Sequence, residues 1–439
     1  MILPDTICQC ITALEQAGYV AYAVGGCVRD DLLGLTPTDY DLCTSALPQE
    51  TEAVFCRCPL VLAGEKHGTV GVVTDCGLVE ITTFRKEGGY RDSRHPDWVK
   101  FVPRVENDLG RRDYTINAMA FSPGRGLIDP FGGREDLEKK CLRAVGDPVQ
   151  RFQEDPLRIL RGVRFAVRFG LDVEPETERA MVSEAHLMDS LARERVFEEL
   201  CKLLPLINAE QLIGFAPVLA AVIPELKPMI GFNQRSPHHA YDLFTHTAHV
   251  VEGVPADLTL RWAALLHDVG KVPCFTTDET GRGHFYGHAQ VGGDMAEEIL
   301  RRLKAPNAIR EKAVTLIRNH MAPKTTKKAM KRLVSRLGFE DAEDLLRLQE
   351  ADMGSKGTGE AEAENIFPML YGFLEELRKE DACLTVKDLA VDGNDLQALG
   401  LQGKAIGEAL QKLLDQVLDE RLPNEREALL DFLKQSQTI

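Results

Sequence analysis

At 439 residues the chain is long enough for about three compact units, and its 44% hydrophobic and 27% charged residues exclude a disordered or fibrous polymer. With 52 basic against 68 acidic residues the formal net charge is −16. That excludes a surface that is basic throughout, but not a local basic track on an acidic body. The start, Met1-Ile2-Leu3-Pro4-Asp5, lacks the basic and apolar stretches of a secretory leader. The longest apolar run, Ile213 to Ile223, is too short to span a bilayer and contains Pro217. Eleven scattered cysteines with no Cys-x-x-Cys pair read as free thiols in a reducing compartment. The expectation is a soluble, cytoplasmic, multidomain protein with no membrane partner.

The first 140 residues mix strand and helix signals. β-rich runs occur at Val20 to Val24, Tyr40 to Leu42, Val70 to Thr74, Leu78 to Phe84 and Trp98 to Val102, between Gly, Pro and Asp turns. From about Asp147 the apolar spacing becomes helical and stays so to Ile439. The fold class expected is α+β: a small head with a mixed sheet, then a long helical body. Its boundaries are a head over 1–140, a helical neck over 141–235, a helical domain over 236–356 and a helical tail from 357, after the Gly-rich break at Gly354 to Gly359.

Within the head, Val24-Gly25-Gly26-Cys27-Val28-Arg29 reads as strand end, glycine turn and helix start. Such a turn lets backbone N–H groups approach a polyphosphate, and Arg29 adds a fixed charge. Ten residues on, Thr38-Asp39-Tyr40-Asp41-Leu42 alternates polar and apolar, so on a strand Asp39 and Asp41 share one face. Two neighbouring carboxylates repel unless a cation sits between them, and hard oxygen ligands suit Mg²⁺. Glu80 on the following strand is a candidate third carboxylate. The combination points to two-metal nucleotidyl transfer.

In the neck, Ile159, Leu160, Val163, Ala166 and Val167 fall on one helix face and Arg158, Arg161, Arg164 and Arg168 on the other. Beside a triphosphate site such an arginine stripe is a phosphate track. Asp155 before Pro156 is a good helix N-cap, and alternatively an acceptor that works with the donor Arg158. Cytosine and adenine both present an amino donor beside a ring-nitrogen acceptor; uracil and guanine present a carbonyl instead.

Gly25-Gly26-x-x-Arg29 followed by Asp39-x-Asp41 resembles the head of polymerase-beta-type nucleotidyltransferases. Arg111 to Ala120, Asp129-Pro130-Phe131-Gly132-Gly133, Glu154 to Phe165 and Glu194 to Leu200 resemble, in order, the later motifs of class II tRNA nucleotidyltransferases and poly(A) polymerases. The resemblance implies template-free addition of CCA to tRNA from CTP and ATP. It assigns Mg²⁺ to Asp39 and Asp41, triphosphate to Gly26 and Arg29, base choice to Asp155 and Arg158, and nucleotide anchoring to Arg112, Arg161 and Arg164. It also implies that Asp113 reads the ribose 2′-OH, and that the polar loop from Phe84 to Asp97 is the lever for switching from C to A.

After Pro237 come His246, His267-Asp268, His284, His288, His320 and Asp352. His267-Asp268-Val269-Gly270-Lys271 resembles the signature of HD-type metal phosphohydrolases. That resemblance makes His246, His267, Asp268 and Asp352 one divalent-metal site, with His288 and His320 as second-metal candidates. Arg318, Lys324, Lys327, Lys328, Lys331, Arg332 and Arg336, with no acidic residue between them, are the expected RNA track. Residues Val391 to Gly407 resemble the tail that meets the tRNA elbow. The rival functions are a poly(A) polymerase, a partial CC- or A-adding enzyme, an HD phosphohydrolase acting on RNA ends, and a silent RNA-binding protein.

Overall fold

The computed structural model describes residues 1–439 apart from 2, 89–97, 238–239, 358–359, 381 and 438–439. They form two compact units: Met1–Ile207 with Gly214–Lys227, and Asn208–Ile213 with Pro228–Ile439.

Nine strands lie in the amino-terminal part of the first unit: β1 (Ala21–Val24), β2 (Asp41–Thr44), β3 (Leu60–Val61), β4 (Thr69–Thr74), β5 (Gly77–Thr83), β6 (Arg85–Gly88), β7 (Trp98–Phe101), β8 (Ala120–Ser122) and β9 (Gly126–Ile128). Seven make one sheet in the order β3-β4-β5-β2-β1-β8-β9. The β2–β5 pair is parallel and the others antiparallel, so the sheet is mixed. All four residues of β1 are buried, which suits an uninterrupted apolar run at the sheet centre. The run at Trp98 does form a strand, but β7 pairs with β6 in a separate two-stranded ladder. Of the expected lever loop, residues 89–97 lie outside the described residues.

Helix Leu157–Phe169 is the centre of the remaining first unit. Asp155 and Pro156 precede it, and Gly170 ends it in the left-handed region at φ 60°. Ile159, Leu160, Val163, Ala166 and Val167 are all buried, as their spacing requires. Gly162 on this helix has a neighbour no other residue would allow. A Cβ there would lie 2.0 Å from the Tyr114 hydroxyl oxygen and 2.3 Å from Met181 Cε. Tyr114 is fully buried and its hydroxyl donates to the Arg158 carbonyl at 2.7 Å. Gly162→Ala should therefore overpack the junction and cost about 1–3 kcal/mol. Thermal unfolding checks this: Tm should fall in Gly162→Ala and recover partly when Tyr114→Leu makes room.

The second unit is helical apart from the short hairpin Thr276–Thr277/Gly283–His284. Helices Leu243–Gly253, Leu258–Leu266, His288–Arg302, Asn307–Asn319 and Phe339–Gly354 carry or flank the histidines. Helices Lys327–Leu337, Glu360–Lys379, Lys404–Leu418 and Arg426–Gln437 contribute to a second core that includes Phe367, Leu370 and Leu413. No helix among the described residues is long and apolar enough to cross a membrane.

The basic run from Arg318 to Arg336 is not the open track its sequence suggests. Lys327 pairs with Glu376 and Glu380, Lys328 and Arg332 with Asp419, Lys331 with Glu420, and Arg318 with Asp294. Acidic residues distant in sequence pair with five of the seven cations of a stretch that contains no acid of its own, while Arg336 donates to Asn319 instead.

Candidate active site

β2 begins at Asp41, in register with Glu80 of the parallel neighbour β5. Side chains in register on adjacent strands stand on the same sheet face, so these two carboxylates are neighbours. Asp39 and Asp41 are exposed, Tyr40 is half-buried and Leu42 is fully buried, but Asp39 and Tyr40 precede the strand and Leu42 to Thr44 are all buried, so the expected alternation along one strand is not what places the two carboxylates. Burial among protein atoms raises the Asp41 carboxyl from 3.8 to about 6; Asp39 and Glu80 add to the rise, and Arg112 opposes it. Four charged groups thus meet at one end of β2.

Arg112 arrives over the glycine turn. Gly25 has φ 79°, and a Cβ on it would lie 2.6 Å from Arg112 Nη1. Only glycine supplies both that backbone conformation and room for the guanidinium. Asp108 Oδ2 is 3.7 Å from Arg112 Nη2, while Arg112 Nε is buried with no hydrogen-bond partner. Gly26 opens helix Gly26–Leu32.

Arg29 differs from expectation. It is buried, its Nε and Nη2 donate to Asp30 Oδ1 at 2.8 and 2.6 Å, and its Nη1 donates to Asn117 Oδ1 at 2.5 Å. The guanidinium also lies 4.5 Å from the Phe169 ring centroid. Its charge is spent within the protein, where it locks the turn to the segment 113–117.

From Asn117 the network continues. Asn117 Nδ2 donates to Asp113 Oδ1 at 3.0 Å, and Arg161 reaches Asp113 Oδ2 through Nε at 2.8 Å and Nη2 at 2.7 Å. Burial alone would raise the Asp113 carboxyl; the Arg161 charge and the Asn117 bond outweigh it and hold it well below the ordinary range. Arg164 is buried and paired with Glu199 at 2.7 Å. The arginine stripe is therefore not a bare phosphate track: Arg161 and Arg164 face internal carboxylates, and Arg168 is the exposed member. Periodicity shows which face a residue occupies, not which acidic group from another helix packs on it.

Asp155 and Arg158 stand together at the start of the same helix. Asp155 Oδ1 accepts from the Leu157 N–H at 3.0 Å and Oδ2 from Arg195 Nη2 at 3.0 Å. Arg158 donates to Glu154 at 2.8 Å and to the carbonyls of Arg151 and Arg111 at 3.2 and 3.0 Å. Both are half-buried and held rigidly. Helix Arg193–Leu203 supplies two of the clamps, Arg195 on Asp155 and Glu199 on Arg164. Its Glu-Arg-Val-Phe-Glu-Glu run resembles a motif, but only the fold shows what those side chains touch.

In the second unit, six expected residues converge. His246 Nε2 lies 3.1 Å from Asp352 Oδ1, and His267 Nε2 lies 3.0 Å from Asp268 Oδ2. His288 and His320 each stand 3.6 Å from Asp268 Oδ1, with their Nε2 atoms 3.3 Å apart. Each of these four imidazoles puts its Nδ1 against a backbone carbonyl: Ser355, Ala264, Phe285 and Ile317 respectively. That fixes the Nδ1–H tautomer and turns the Nε2 lone pairs inward, as metal-ligating histidines require. Two ligand sets result, His246/His267/Asp352 and Asp268/His288/His320. The grouping differs from expectation in that Asp268 Oδ1 belongs with the second set while Oδ2 faces the first.

Burial opposes charge on the imidazoles; Asp268 and Asp352 nevertheless raise the His267 pKa, while that of His288 stays lowered. Lys271 lies 2.7 Å from Asp268 Oδ2, a contact that the His267-to-Lys271 run does not reveal by its spacing. His284 stands outside the cluster, paired with Asp278 at 2.8 Å.

A family model described as the poly A polymerase head domain matches residues 21–143. One for a probable RNA and SrmB-binding site of polymerase A matches 170–213, and one for tRNA nucleotidyltransferase domain 2 matches 283–433. A CCA-adding enzyme of Levilactobacillus brevis is 35% identical, over 96% of this chain and 95% of its own length. Another, from Streptococcus mutans, is 33% identical over 98% of each. The crystal structure of the Bacillus stearothermophilus CCA-adding enzyme in complex with CTP superposes with a TM-score of 0.71 at 28% identity, covering 100% of this chain and 98% of that one. The Thermotoga maritima CCA-adding enzyme complexed with tRNA shares the fold, with a TM-score of 0.61 at 22% identity over 98% and 94% of the two chains. Full-length likeness at this level, joined to a poly(A)-polymerase head whose carboxylates and glycine turn are in place, shows that the chain belongs to the CCA-adding enzyme family of tRNA nucleotidyltransferases.

Proposed function

We infer that the chain adds C, C and A to the 3′ end of tRNA from CTP and ATP, without a nucleic-acid template, releasing pyrophosphate at each step. The observation that carries this is the meeting of Asp39, Asp41, Glu80 and Arg112 beside the Gly25-Gly26 turn. The donor set fits Mg²⁺, which takes one or two carboxylates and completes its shell with phosphate oxygens and water. Asp39 and Asp41 would hold it. When bound, it supplies an activated 3′-hydroxyl and neutralises charge on the triphosphate. The Gly26 amide and Arg112 receive the triphosphate, and Arg29 acts by positioning the turn. This reading assigns the chain to the cytoplasm, supported by a substrate that is tRNA and by the lack, among the described residues, of a helix long and apolar enough to cross a membrane. The domain assignment that goes with this reading is a palm over 1–140, a neck to 235, an HD-like body to 356 and an RNA-binding tail.

Base choice falls to Asp155 and Arg158, the acceptor and donor that C and A both satisfy. Uracil and guanine would leave a buried acceptor facing an acceptor, at a cost of about 1–3 kcal/mol per group. Asp155→Ala should narrow the preference for CTP over UTP by about 5- to 150-fold, with metal binding unchanged. Competition between labelled CTP and UTP reads this directly, and unaltered discrimination would remove the role. For the activity as a whole, tRNA lacking its 3′ end is incubated with each labelled nucleotide. Two C and one A are expected; a long A ladder would mean a poly(A) polymerase.

A second reading is favoured by the facing Nε2 atoms of His288 and His320. Two buried imidazoles with their lone pairs turned on each other call for a cation between them. His246, His267, Asp268 and Asp352, with His288 and His320, would hold divalent ions that lower the pKa of a bound water and polarise phosphoryl oxygens. The unit would then hydrolyse phosphate esters at RNA ends. Phosphodiesterase assays with Ni²⁺, Mn²⁺ and Mg²⁺ test it, and inactivity with all three would leave a scaffold.

A further inference from the structure

We propose that Tyr286, braced by His284, is a stacking platform for a nucleobase whose attached phosphate reaches the histidine–aspartate cluster of the second unit. This rests on the phosphoester reading of that cluster and adds the side chain that would receive the base next to the phosphate.

A cavity of about 460 Å³ is lined at one part by Asp268, His288, His320 and Asp352 and at another by His284, Phe285 and Tyr286. Lys271 and Lys356 also line it, paired with Asp268 at 2.7 Å and with Asp352 at 3.6 Å, so they offset the charge of those two carboxylates. The space suits a small ligand of nucleotide size.

Tyr286 is 78% exposed, far more than any other large aromatic or aliphatic side chain described. It is nevertheless not loose. Its ring lies parallel to the His284 imidazole, with centroids 5.4 Å apart and planes inclined by 6°. His284 in turn is fixed through Nε2 to Asp278 Oδ2 at 2.8 Å, and Asp278 is held by the Thr280 hydroxyl at 2.6 Å and by the N–H groups of Thr280 and Arg282. The hairpin Thr276–Thr277/Gly283–His284 carries this stack to within two residues of His288.

An aromatic face left open to solvent, set parallel to a neighbouring ring that is itself hydrogen-bonded in place, is what a base needs for stacking. An apolar ligand would find no use for the two lysines, and bare phosphate would find none for the rings. A base joined through ribose to phosphate uses both.

Binding of inorganic phosphate, 3′-AMP and a trinucleotide RNA ending in a 3′-phosphate is measured by calorimetry on the full chain, both chelator-treated and Mn²⁺-loaded. The head is identical in wild type and Tyr286→Ala, so their difference reports on this cavity. Tyr286→Ala should weaken 3′-AMP at least about fivefold and up to about a hundredfold, with phosphate affinity unchanged. Tyr286→Trp should retain it. RNA binding tighter than 3′-AMP in the wild type would identify an RNA end as the natural occupant; equal binding would identify the free nucleotide. Equal 3′-AMP affinity in wild type and Tyr286→Ala, or a parallel loss of phosphate, would overturn the platform. Absence of phosphate binding in the Mn²⁺-loaded wild type would instead overturn the phosphoester reading beneath it.

Discussion

Asp41→Asn is expected to cut nucleotide incorporation by about a thousandfold and, in chelator, to raise Tm. The first effect follows from removing a carboxylate proposed to hold the catalytic cation, whose several kcal/mol of transition-state stabilisation would amount to about three powers of ten in rate. The second follows from burial, helped by Asp39 and Glu80, which lifts the Asp41 carboxyl from 3.8 to about 6. A carboxyl raised in the folded state favours folding while it is protonated. That contribution is complete below the unfolded pKa and is lost as the pH rises through about 6. At pH 7.5 the ionised side chain therefore costs stability that asparagine does not. Solvent access at Asp41 screens the effect to about 1 kcal/mol, or about 2 °C in a unit of this size. The same comparison at pH 4 should show almost no difference, since wild-type Asp41 is then protonated. A variant that is inactive and also less stable at pH 7.5 would mean that Asp41 is a structural residue. Full activity would remove the catalytic role.

The sequence was most informative where a single element carries its own explanation. The Gly25-Gly26 turn and the apolar stripe of helix Leu157–Phe169 are local patterns, and the fold presents both, whereas the alternation expected around Asp41 gives way to three consecutive buried residues in β2. The short strands Leu60–Val61 and Gly126–Ile128 were not legible, because two or three residues hold no period and owe their pairing to β4 and β8. Long-range charge pairing was equally hidden. Arg29 and Asn117 are 88 residues apart, and Arg161 and Asp113 are 48 apart. Each looked like a free cation until its partner arrived from another element. The six residues of the second unit follow from the resemblance to HD-type phosphohydrolases. Their division into two ligand sets depended on which Asp268 oxygen faces which imidazole, a rotamer detail no spacing encodes.

His320→Ala should abolish most divalent-metal binding in the second unit while leaving CCA addition at the wild-type rate. His320 Nε2 stands 3.3 Å from His288 Nε2 and 3.6 Å from Asp268 Oδ1, so it is one of three atoms that would close around an ion. Removing even an outer-shell partner of a metal costs 10- to 100-fold in affinity; loss of a ligand atom should cost about 100-fold or more. In the wild type, Mn²⁺ at a hundred times its dissociation constant would stabilise the unit by about 2.7 kcal/mol, and most of that gain in Tm should vanish in the variant. Metal-free stability should change little by comparison, because alanine removes one of two imidazoles whose lone pairs face each other. Phosphodiesterase turnover should fall with the metal affinity. The residues proposed for CCA addition, Asp39, Asp41, Asp155 and Arg158, belong to the first unit. An equal loss of CCA addition would show that the cluster serves transfer. An unchanged Mn²⁺ titration would show that the two imidazoles are a structural pair sharing a proton.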